Sequence, residues 1–202
     1  MPRITISRAA FFVKFILETA KRNILENQNL KFSTFFWRIS SSHIVSYFIM
    51  GIIAVFVLDY KKTFEEPPLS YLMKPVDSPW VALGPMLQIF RGLVFSCALW
   101  FFKDGFLFKK HGWLRLWGLL LGLAVLSTVG PAPGSIEGFI YTKIPVASQL
   151  RGYFEILPQT LFFSLLVFYW YENPRKLWNV LSIVLVSIIF ILSSLGLIFS
   201  DQ

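Results

Sequence analysis

Five long apolar runs dominate the chain, separated by segments rich in charge, proline or glycine. The last, Leu177 to Phe199, reads LWNVLSIVLVSIIFILSSLGLIF and contains no charge. As a helix rising ~1.5 Å per residue it is roughly 35 Å long, enough to cross the hydrocarbon core of a bilayer. The others run from about Ile39 to Leu58, Leu83 to Phe102, Gly112 to Val129 and Gly152 to Tyr171. Residues 4–30 differ in pattern. Lys14, Glu18, Arg22 and Glu26 recur every four residues on one helical face, with Phe12, Phe15, Ile16, Ala20 and Ile24 on the other. Lys14 interrupts the apolar stretch too early for a signal peptide. The expected fold is all-α: a polytopic integral membrane protein with about five transmembrane helices and an N-terminal amphipathic interfacial helix. The division this suggests is a cytoplasmic interfacial segment at 1–38 and a helical bundle at 39–202.

Composition supports lipid as the solvent. The 202 residues are 55% hydrophobic and only 15% charged, whereas a soluble domain is about 25% charged. The net charge of +8 would suggest nucleic acid in a soluble protein. Here the basic residues flank apolar runs, so they read as a topology signal and an attraction to anionic lipid, with no nucleic-acid partner. Thirteen Lys and Arg fall before the first span, between spans two and three, and between four and five; four fall on the opposite side. The positive-inside rule then gives a cytoplasmic N-terminus, an outer C-terminus and residence in a plasma or inner cell membrane.

The two outward loops, 60–82 and 130–151, are longer than the inward ones and rich in proline and glycine. FEEPPLSYLMKPVDSPWVALGP (64–85) and VGPAPGSIEGFIYTKIP (129–145) carry apolar and aromatic residues that suit loops folded onto the membrane surface. Pro85 to Arg91-Gly92 and Pro145 to Arg151-Gly152 share one spacing. This echo would relate spans two and three to four and five as parallel repeats.

An ionised side chain at the centre of a span costs at least ~2.5–3.5 kcal/mol, so it pairs or does work. Arg91, Arg151 and Glu155 stand out, with Gln88, Gln159, Ser96 and Cys97 close in sequence. Arg91 and Glu155 can reach similar depths, so a cross-helix pair is allowed, and Arg151 can pair with Glu155 at i+4. Glu137 is framed by Gly130, Gly134 and Gly138, which permit close backbone approach. His43 follows three serines at the inner mouth of span one and reads as an interfacial or helix-start residue. No HExxH, Gly-x-Ser-x-Gly or phosphate-loop motif occurs, and the one cysteine, Cys97, allows no intrachain disulfide. No cofactor or metal is expected.

Two functions fit. The favoured one is non-enzymatic binding or transport of a small anion or lipid headgroup. Arg91, Arg151, Glu155, Glu137 and Gln88 would form the site, alone, as a homo-oligomer or with a membrane-protein partner. The alternative is a membrane-embedded enzyme acting on lipid-linked or phosphorylated substrates, with Glu137 or Glu155 as acid/base and the arginines on phosphate. It requires Glu137, Arg91 and Arg151 to converge. A sealed Arg91–Glu155 pair would instead indicate a structural role.

Overall fold

Serine and glycine decide how closely the helices of this protein approach. The computed structural model describes residues 30–126 and 130–200, with Val13 and Leu17 as two further helical positions. The interfacial helix expected near the N-terminus lies, those two positions aside, outside the described residues. Helix α1 (Phe32–Val57) is the hub, packing against α3 (Pro79–Trp100), α8 (Tyr153–Glu172) and α9 (Lys176–Ser200). Half of its most apolar stretch, 50%, is buried, against 11–22% in the other three long helices. A run of small polar residues, Ser40, Ser41, Ser42 and Ser46, makes this possible. Ser41 and Ser46 return their hydroxyls to carbonyls of their own helix, Trp37 O at 2.6 Å and His43 O at 3.0 Å, so those two cost little when buried. At the crossing with α3, a Cβ on Gly92 would lie 2.8 Å from Ser40 Cα, so only glycine fits. Small residues at an intramembrane interface give close backbone approach where burial from water supplies no force. Trp37 Nε1 adds a hydrogen bond to Ser182 Oγ on α9 at 3.0 Å.

α1 starts seven residues before the expected first span. The sequence pattern misleads here because Arg38 looks like a flanking charge. Its guanidinium instead lies over the rings of Tyr171 and Trp170 on α8, 4.6 and 5.6 Å from their centroids, which holds the cation inside the helix boundary. As a result His43 sits eleven residues into α1 and is buried, rather than at its mouth.

Among the described residues, four helical stretches are long and apolar enough to cross a membrane: Phe32–Val57, Pro79–Trp100, Val146–Glu172 and Lys176–Phe199. The expected third span is a shorter helix, α5 (Gly112–Leu126), whose 15 residues reach roughly 22 Å. It packs along α8 and follows the short α4 (Lys103–Phe106). Phe90, Val94, Val180 and Ile198 are more than half exposed. A continuous apolar exterior of this kind is tolerated in lipid and not in water.

The 58–78 and 130–152 connections are built rather than slack. Between α1 and α3, Asp59 takes φ 46° and ends α1, and α2 (Tyr60–Glu65) follows. Between α5 and α8 lie α6 (Ile136–Tyr141) and α7 (Val146–Arg151), which continues into α8 at Gly152. Ser135 caps α6 by accepting from Gly138 N at 2.9 Å and donates to Ala132 O at 2.7 Å. Buried Gln149 receives Gly134 N–H at 3.2 Å and donates to Ile144 O at 2.9 Å. Tyr153 OH closes the network on Gly134 O at 2.5 Å.

The glycines of the two Pro–Arg-Gly segments differ in packing. Gly92 is pressed against Ser40, whereas a Cβ on Gly152 would meet only Gln149 O at 3.6 Å.

Candidate functional site

At mid-depth in the bundle, α1, α3, α5 and α8 surround a cavity of about 460 Å³, within the usual range for small-molecule sites. Its polar lining is Arg91 from α3, His43 from α1, and Gln159 and Thr160 from α8. Its apolar lining includes Val94, Phe95, Leu120, Leu123 and Phe163. Arg91 lies twelve residues after Pro79 and nine before Trp100, roughly 14–18 Å from either end of its helix. α3 and α5 both line the cavity without packing closely on each other. Val94 and Leu123 beside that gap are largely exposed, so the cavity opens laterally toward where lipid would lie.

The back wall is ordered. His43 Nε2 is 3.0 Å from Gln88 Oε1, while Gln88 Nε2 donates to Gly84 O at 3.3 Å. With the amide oxygen left to accept, the proton of neutral His43 belongs on Nε2. Edge-on contacts to Phe95 at 4.9 Å and Phe163 at 5.9 Å fix the imidazole ring. Thr160 Oγ1 is held by its own helix, donating to Ile156 O at 2.7 Å. Arg91 is less constrained. Its guanidinium lies 5.6 Å from the Phe95 centroid, and the ion pairs between described residues are Lys62–Glu66 and Lys103–Asp104.

The five residues singled out in the sequence therefore separate. Arg91 lines the cavity, and Gln88 supports it through His43. Glu155 does not meet Arg91 in an ion pair; it accepts a hydrogen bond from the Tyr60 hydroxyl on α2. Tyr60 lies outside the spans, and burial, then the bond to this carboxylate, raise its pKa above the ordinary tyrosine value. Glu137 and Arg151 are exposed on the 130–151 connection, outside the cavity lining. Sequence reasoning missed His43, Gln149 and Tyr60 as organising residues. The available signal for His43 was the polar run Ser40 to Ser46 inside an otherwise apolar helix. For Gln149 and Tyr60, whose partners are distant in sequence, there was none. Among the described residues, no cluster of three His, Cys, Asp or Glu side chains could hold a metal ion.

Comparisons with protein families, with curated proteins and with solved structures found no match to this chain.

Proposed function

We propose that this multi-span protein binds an anionic amphiphile within the membrane, without transforming it, as a transporter or as the binding subunit of a membrane complex. The anionic group sits on Arg91, with Gln159 as a further hydrogen-bonding group, and the apolar body extends between α3 and α5. The observation that carries this reading is a cation at mid-depth, in an open cavity, with no carboxylate paired to it among the described residues. An unneutralised arginine at that depth is costly unless a ligand or water reaches it. Lateral opening suits a ligand that enters from lipid. Arg151 and Glu137 act as surface groups during entry or exit. The enzymatic alternative has less support, because it needs a carboxylate beside Arg91, and Glu155 is already occupied by Tyr60. The excess of Lys and Arg on one side supports a cytoplasmic N-terminus.

The test is photo-cross-linking of the purified full chain with a diazirine-bearing fatty acid. Adducts should concentrate at 94–95, 120–124 and 156–163, and Arg91→Gln should reduce them about tenfold or more, as expected for loss of a charge-assisted bond. Labelling spread evenly over the outer helix faces and indifferent to Arg91→Gln would overturn the proposal.

A further inference from the structure

A second group of polar atoms lies one helix end away from the cavity, where the N-terminal end of α1 meets the C-terminal end of α8. Arg38 lies over both Trp170 and Tyr171. Among the described residues, three donors there, Arg38 Nε–H, Trp170 Nε1–H and Tyr171 O–H, are buried and have no hydrogen-bond acceptor; the guanidinium beside Tyr171 can only donate. Trp170 and Tyr171 are only 7% and 2% exposed, so bulk water does not serve them. Buried donors without acceptors cost about 1–3 kcal/mol each. The ring faces satisfy the cation's charge but not these N–H and O–H groups.

What the group lacks is an acceptor with several lone pairs. We propose that it binds a phosphate group, with Arg38 as the charged contact and Trp170 and Tyr171 as neutral donors. Arginine suits this role because its planar fork matches phosphate oxygens. Depth agrees. Arg38 is six residues, roughly 9 Å, inside the start of α1, and Tyr171 is one residue from the end of α8. That is the headgroup level, where Trp and Tyr are favoured. The same end carries Lys103, Lys109, Lys110, Arg175 and Lys176 in its connections, a basic rim that concentrates anionic headgroups. Phe35 and Phe108 pack around the Tyr171 ring, at 6.3 and 5.9 Å between centroids, so the hydroxyl is held in place before any ligand arrives. A bound phosphate would link α1 to α8 and so brace the hub helix. The site is separate from the Arg91 cavity and does not depend on it.

The experiment is native mass spectrometry of the delipidated full chain in neutral detergent, offered phosphatidylglycerol, diacylglycerol as a phosphate-free lipid, or inorganic phosphate. Phosphatidylglycerol should be retained over diacylglycerol. Tyr171→Phe, which removes only the hydroxyl, and Arg38→Lys should each weaken retention about tenfold, while Arg91→Gln leaves it unchanged. Displacement of the lipid by millimolar inorganic phosphate would mean that a free phosphate fills the site; persistence of the lipid would mean that a headgroup does. Equal retention of both lipids, with no effect of inorganic phosphate, would overturn the proposal and leave the donors to trapped water. So would wild-type binding by Tyr171→Phe. Should Arg38→Lys fail to fold, the isosteric Tyr171→Phe still decides.

Discussion

The 130–151 connection and the mid-depth cavity both hold buried or half-buried polar groups, but only the connection closes them into a network. Around Gln149 the donors and acceptors of Gly134, Ser135, Gly138, Ile144 and Tyr153 are matched within the segment. A satisfied network of this kind rigidifies and specifies a shape. Around the cavity, Arg91 and Gln159 face open space instead. Polar groups that stabilise a fold are used up by one another, whereas those that serve a ligand stay available. On that criterion Glu155, bonded to Tyr60, belongs with the first kind and Arg91 with the second.

Substitutions sharpen this contrast, and the largest effect is expected where the network is closed. Gln149→Leu leaves Gly134 N–H and Ile144 C=O without their side-chain partner and should cost about 2–4 kcal/mol. Thermal unfolding in detergent, with limited proteolysis between 130 and 151, reads this directly. An unchanged melting temperature would mean that the connection is not a structural unit. Gly92→Ala drives a Cβ into the Ser40 backbone and should cost about 1–3 kcal/mol. It also shifts the back wall of the cavity, so labelling by the diazirine probe should fall together with stability. Tyr60→Phe removes the hydroxyl from Glu155 and should cost about 1.5 kcal/mol, at the lower end for a bond to a charged group because Glu155 is only half-buried. Arg91→Gln should change stability least, within about 0.5 kcal/mol, while abolishing most probe labelling. A drop of several kcal/mol on Arg91→Gln would place that arginine with the closed networks and break the comparison.

Long-range pairing is what the sequence pattern could not reveal. The absence of charge in Leu177–Phe199 was enough to mark a helix long and apolar enough to span a membrane, because an uncharged run of that length has few other stable environments. Arg91 was conspicuous for the same reason: its cost depends on depth, which helix register supplies. Pairing of Arg91 with Glu155 was a plausible guess from depth alone. Which of several acceptors or donors at one level actually meets a given side chain depends on helix rotation and on the connections between helices, and here Tyr60 reaches Glu155 across 95 positions of sequence.

Hydropathy and charge, both local properties, thus determined the all-helical character, the long apolar helices and the interest of Arg91. Tertiary structure decided that α1 is the hub, that Arg38 lies inside it under two aromatic rings, and that His43 is buried against Gln88. It also decided that Arg91 alone of the candidate charges lines the cavity. The physical reason is that the cost of a charge in lipid can be read residue by residue, whereas the partner that relieves it comes from another helix, and only packing brings the two together.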